Sequence, residues 1–306
     1  MEFKVNGLTV EVNPAELEND QLTGLAQEVF TAANERGLEL PFATGAVAVE
    51  GAMQADESVE TSLDPSDIKE TIKSLLTPAY SGYQATVEQI NGSRKKKEQI
   101  TVADQETAEA ELEEWFDEDR LAYVKKTMEV NPNLTWTLLA TVNGTVTADE
   151  FLAGTKTFGE GQPYSTEIWS DIAKKYTPEE ISGTDPSNGK AFKFKLVPNE
   201  FTPEIYGDVP TSKAKLTELQ AEYPFLDSTS PLEDLTWLNT KRAANGGKPL
   251  AGSGTADATY MRSYGLEPKR IVRDLRVPSL FVRDLGRLTV SDSWPGSGRD
   301  ARVSVG

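Results

Sequence analysis

Glu109, Glu111, Glu113, Glu114, Asp117, Glu118 and Asp119 form the densest set of carboxylates in this 306-residue chain. On a helix, residues three or four apart share a face, so Glu109 with Glu113, and Glu114 with Asp117 or Glu118, are pairs able to hold Mg²⁺ or Ca²⁺. Leu112, Trp115 and Phe116 are interleaved with them, which is the pattern of a solvated face beside an apolar stripe. No Asp-x-Asp-x-Asp-Gly calcium loop occurs. The basic counterpart is the run Arg94, Lys95, Lys96 and Lys97 beside Asn91-Gly92, suited to an acidic partner surface. A second set of candidate partner-binding residues is Arg270, Arg273, Arg276, Arg283 and Arg287. Trp294, in the polar stretch Ser291 to Gly296, is a candidate anchor.

The chain contains no histidine and no cysteine. That removes Ser-His-Asp and Cys-His nucleophiles, thiolate or imidazole zinc sites, disulfides and iron–sulfur clusters. Carboxylate, lysine, tyrosine and hydroxyl groups remain, so the enzymatic alternative is a carboxylate-based hydrolase such as a glycosidase. A sugar- or peptide-binding module is the other alternative. Gly159-Glu160-Gly161 and Gly252-Ser253-Gly254 are too short for phosphate loops, and no cofactor is expected.

The net charge of −18 lies wholly in residues 1–150, with 29 acids against 11 bases, while residues 151–306 hold 20 of each. Eight of the twelve arginines fall in the last 46 residues. This asymmetry suits docking between oppositely charged surfaces, including those of two copies, and such attraction weakens with salt. The surrounding acids disfavour nucleic acid. No stretch approaches the roughly 20 apolar residues of a membrane helix, and the first residues lack a signal-peptide pattern, so synthesis in the cytoplasm is expected.

Three Asn-Gly dipeptides between β-rich segments predict hairpins at Phe3–Val12, at Tyr83–Val102, and from Leu134 through Val142 to Val146. Asn13-Pro14 starts a predicted helix that Gly37 stops, and Asp64-Pro65 starts another that ends ahead of Pro78. The longest predicted helix runs from about Asp104 to Val130, and others cover Ser165–Tyr176, Thr211–Glu222 and Ser230–Ala244. Ile271–Leu275 is echoed by Phe281–Leu285, which predicts two short strands joined through a turn at Pro278.

The irregular alternation predicts an α+β chain of hairpins packed with helices, plus an extended C-terminal arm with short strands. Its expected divisions are 1–50, a hairpin-helix unit; 65–200, a central domain; and 201–306, an extended Pro/Gly-rich region. Linkers are expected at 43–63 and 246–257.

The hairpin Val5-Asn6-Gly7-Leu8, the lack of cysteine and histidine, and the segments Val277–Leu280 and Val303–Gly306 resemble, in general character, virion structural proteins of tailed bacteriophages. The type is a minor capsid or head-decoration protein; a major capsid or neck/tail protein is the alternative. The resemblance implies a non-enzymatic role, partners in a capsid protein lattice, and residence in the virion after synthesis in the host cytoplasm.

Overall fold

The computed structural model describes residues 2–5, 8–11, 63–154, 157–158, 162–163, 174–183, 188–199, 209–248, 250, 260–262, 268–271, 274–283, 287–293 and 303–306. The chain forms two compact units, Met1–Glu60 and Thr61–Gly306.

The first unit contains β1 (Glu2–Val5) and β2 (Leu8–Glu11), antiparallel with Val5 opposite Leu8. This is the hairpin that the first Asn-Gly predicts. The predicted helix from Asn13 to Gly37 lies outside the described residues.

In chain order the second unit contains α1 (Pro65–Ser74), α2 (Leu76–Asn91), a 3-10 turn (Lys96–Glu98), α3 (Gln105–Trp115), α4 (Glu118–Val130) and β3 (Trp136–Val142). Next come α5 (Ala148–Gly154), β4 (Thr157–Phe158), β5 (Gln162–Pro163), α6 (Pro178–Ser182), β6 (Phe192–Pro198) and α7 (Val209–Glu222). They are followed by β7 (Leu226–Asp227), α8 (Pro231–Ala244), β8 (Tyr260–Arg262), β9 (Lys269–Ile271), β10 (Asp274–Arg283), β11 (Arg287–Ser293) and β12 (Ser304–Val305). The α+β class is therefore as the sequence indicates.

Helix α8 is the centre of the unit. Ser230 caps it and Glu233 returns the bond to the Ser230 N–H, a capping box, with Pro231 in the first turn where no N–H is needed. Every residue from Pro231 to Thr240 is buried, so over this span the helix has no solvent face. It packs on α2, β3 and β10. The α2 contact is close at Gly82, where an added Cβ would lie 2.2 Å from Thr240 Oγ1. Asn239 Nδ2 donates to Thr86 Oγ1 at 2.9 Å across the same interface.

The central sheet has the order β3, β6, β12, β7. β3 pairs antiparallel with β6 along its whole length, from Trp136 opposite Pro198 to Val142 opposite Phe192. A second sheet orders β11, β10, β8, with β9 also on β10. Val277 and Leu280 of β10 are fully buried, which fixes this sheet to the core.

Several expectations are corrected. Tyr83–Ile90 is helix, not a strand: Leu76, Ala79, Tyr83, Val87 and Ile90 are buried at steps of three and four, so the helical period outweighs the local alternation. Asn91-Gly92 closes that helix, and the Asn91 side chain bonds both backbone groups of Ile100, turning the chain without a sheet. Asn143-Gly144 follows a real strand but no local return strand exists. Thr147 and Glu150 cap each other and start α5, and the partner of β3 arrives about fifty residues later as β6. The long helix from Asp104 is two helices, because the Asp117 side chain accepts the Arg120 N–H at 3.0 Å and begins α4.

The described residues of 201–306 are not simply extended over a surface: α8 is in the core, and Val303, Ser304 and Val305 are buried in the central sheet. The echoed pentapeptides are not two strands joined at Pro278; β10 runs unbroken from Asp274 through Pro278 to Arg283. The predicted helix Ser165–Tyr176 is outside the described residues up to 173, and the predicted linkers 43–63 and 246–257 lie outside them except at 63, 246–248 and 250.

Candidate partner-binding surface

Five of the seven clustered carboxylates, Glu111, Glu113, Glu114, Asp117 and Glu118, tie elements together or cap a helix. Glu111 accepts the backbone N–H groups of Ala191 and Phe192, both at 2.9 Å, and so fixes the start of β6 on α3. Glu113 pairs with Lys73 at 3.0 Å, Glu118 with Lys69 at 2.7 Å, and Glu114 with Lys190. Asp117 is the α4 cap. Among the described residues, no set of three or more acids is gathered so that it could hold a metal ion.

The most deeply buried charges carry little mark in the local sequence. Lys195 of β6 donates to Asp227 Oδ2 at 2.9 Å, Glu233 Oε2 at 2.9 Å and the Ser228 carbonyl at 2.6 Å. Its three ammonium protons are thereby matched by three acceptors, from the segment entering α8 and from α8 itself. Lys195 and Glu233 side chains are 2% and 1% exposed, and Lys193 reaches Glu233 Oε1 at 3.1 Å. Burial alone would lower the Lys195 pKa, but the charges of Glu233 and Asp227 outweigh it and hold the ammonium above 10.5. Burial likewise opposes ionisation of Asp227, and the Lys195 charge outweighs it, so that carboxyl is held below 3.8. A permanently charged, saturated lysine is an architectural tie rather than a base or nucleophile. Its only trace in the sequence is Lys193 and Lys195 alternating with Phe192, Phe194 and Leu196.

The basic run divides by function. Arg94 makes a bidentate pair with Glu150, Nε to Oε1 at 2.8 Å and Nη2 to Oε2 at 2.9 Å, and Nη2 also donates to the Thr145 carbonyl. Burial raises the Glu150 pKa, but the hydrogen bonds from Arg94 and Thr147 outweigh it and leave the carboxyl below its usual 4.5. Arg94 is thus the internal clamp of the turn rather than a free partner-binding cation.

Lys95, Lys96 and Lys97, by contrast, are exposed; among the described residues only Lys97 has a near acid, Glu98 at 3.8 Å. Beside them opens a shallow cleft of about 530 Å³ lined by Gln84, Glu88, Asn91, Gly92, Gln99 and Val102. Val102 is one of three large apolar side chains that are exposed among the described residues. Replacing Arg94 by alanine should cost about 2 kcal/mol of unfolding free energy, read by urea denaturation, from loss of charged hydrogen bonds. The same change at Lys95, Lys96 or Lys97 should stay within about 0.5 kcal/mol.

The second candidate set is dispersed over one sheet. Arg270 is exposed on β9, Arg276 lies 3.4 Å from Asp274 on β10, and Arg283 of β10 is the ladder partner of Arg287 of β11. Arg273 and Trp294 lie outside the described residues. Of the other tryptophans, Trp136 and Trp237 are buried, and Trp115 is partly buried with Phe194 at 5.7 Å.

Comparison with protein-family models, with curated proteins and with solved structures finds no match in any of the three. No helix among the described residues is long and apolar enough to cross a membrane.

Proposed function

We propose that this chain is a non-enzymatic structural protein of a large assembly, of the capsid-associated type carried in tailed bacteriophage virions. The reading is carried by the Lys95–Lys97 turn. Internal ion pairs take up Arg94, Lys69, Lys73, Lys190 and Lys195, whereas Lys95 and Lys96 have no acidic partner among the described residues. Arg94 and Glu150 anchor the turn that carries them. An exposed, positively charged turn anchored by an internal ion pair is suited to an acidic protein surface. Residues 1–150 carry a net charge of −18, so another copy of this chain offers an acidic partner for that turn.

The test is light scattering of the chain and of its Lys95→Glu/Lys96→Glu/Lys97→Glu variant at low and high salt. The parent should associate at low salt and dissociate as salt rises, while the variant stays monomeric with an unchanged urea midpoint. Equal association by parent and variant overturns the reading.

A further inference from the structure

We infer that the gap between β6 and β7, filled here by Val303–Gly306 of the same chain, also accepts that segment from a second copy. Neighbouring subunits would then be joined by strand exchange. The inference rests on the assembly reading above for its setting, and on the sheet itself for its chemistry.

β7 pairs with β12 alone among the described residues, and β12 in turn touches β6 through Val305 opposite Leu196. Without β12 the facing backbone groups of β6 and β7 would be left unpaired, at a cost comparable to lost hydrogen bonds. The segment is also recognised by its side chains. Val303 and Val305 are 3% and 0% exposed, two residues apart and so on the same face. Ser304 Oγ donates to the Asp227 carbonyl at 2.9 Å. The Gly306 N–H donates to the Phe225 carbonyl at 2.7 Å, and Arg120 Nε donates to the Gly306 carbonyl at 2.8 Å. Main-chain pairing plus pockets for alternate side chains is the recognition mode of strand addition. Another copy of this chain offers an identical strand and makes identical contacts, so contact energy does not distinguish the two sources.

Connectivity and concentration decide between them. Residues 294–302 join Ser293 of β11 to Val303, and nine residues reach about 30 Å when extended. A tethered segment sees its own slot at an effective concentration of about 1 mM, so a dilute chain closes on itself. Subunits packed side by side reach comparable local concentrations, and exchange then competes.

Because the chain has no cysteine, disulfide trapping can be read cleanly. An ideal Cβ on Gly306 lies 3.6 Å from Asp227 Cβ, within disulfide range. The Asp227→Cys and Gly306→Cys chains are mixed, concentrated to about 1 mM and oxidised, with the doubly substituted chain as reference. A covalent mixed dimer at least about tenfold above either chain alone is expected, falling on dilution. A mixture no richer in dimer than its components overturns the inference.

A second variant leaves the slot residues untouched and deletes 295–298, so that the shortened tether disfavours closure. Its mass by light scattering should at least double at high and low salt alike; a monomer at both overturns the inference. The parent's salt-dependent association reports separately on the Lys95–Lys97 surface, so the two proposals fail independently.

Discussion

Replacing Glu233 by alanine should destabilise the second unit by about 3–5 kcal/mol, because it leaves Lys195 buried with only Asp227 to balance it. Lys193 loses its ion-pair partner in the same step and keeps only the Gly183 carbonyl among the described residues, and the Ser230 N–H loses the 2.6 Å bond that closes the α8 capping box. The measurement is urea denaturation, repeated for Lys195→Met and for the double substitution. A double-mutant cycle should show the Lys195→Met/Glu233→Ala chain well above the sum of the two losses, since the second change removes the charge that the first stranded. Additivity within about 0.5 kcal/mol would mean that the two side chains do not act as a pair.

The same network sets a pH window. Asp227 is held below its ordinary 3.8, so its contribution is present above that value and is lost as pH falls through the folded-state value. Lys195 is held above its ordinary 10.5, so its contribution is present below that value and is lost as pH rises through the higher folded-state value. Stability should therefore be flat across the neutral range and fall at both extremes. Glu150, also held below its ordinary value, adds to the acid limb. Lys195→Met should remove the Asp227 part of that limb and leave the part due to Glu150.

Gly82→Ala should cost about 3 kcal/mol although alanine is the better helix former by about 1 kcal/mol. The new Cβ would meet Thr240 Oγ1 at 2.2 Å, and Thr240 Cα and N at 2.8 Å. The first is a side-chain atom and the other two are backbone of the buried helix α8, so repacking of a side chain cannot relieve the clash. Thermal unfolding of Gly82→Ala with and without Thr240→Ala separates the two. Thr240→Ala removes a hydroxyl that has no hydrogen-bond partner among the described residues, and a buried methyl with it, so by itself it should cost about 1 kcal/mol. It should return only the smaller part of the Gly82→Ala loss. Full rescue would show that the helices can separate and that α8 is less firmly seated than its burial indicates.

Local signals were legible where one short stretch decides the outcome. Asp64-Pro65 marked the start of α1 correctly, and the expected helix Ser230–Ala244 is α8, capped by Ser230 and followed by Gly246 and Gly247, both at positive φ. They act within one turn of chain, through caps and through a backbone angle that glycine tolerates. The Asn6-Gly7 hairpin was legible for the same reason, since its strands pair directly across two residues. At Asn91-Gly92 and Asn143-Gly144 the same dipeptide misled, because its meaning depends on whether the flanking apolar residues meet a neighbouring strand or a helix face.

The candidate surface was half legible. Four adjacent cations were visible as a run, but nothing in that run shows that Arg94 turns inward to Glu150, 56 positions away, while Lys95, Lys96 and Lys97 stay in solvent. By itself the sequence determined the α+β class, the charge asymmetry and the absence of histidine and cysteine chemistry, all of which follow from residue types and near-neighbour spacing. Tertiary structure alone decided that a lysine and a glutamate 38 positions apart share the core, that Pro231–Thr240 of α8 have no wet face, and that residues 303–306 complete a sheet. Those are outcomes of long-range packing, in which a residue's partner is set by which surfaces close together and not by its neighbours in the chain.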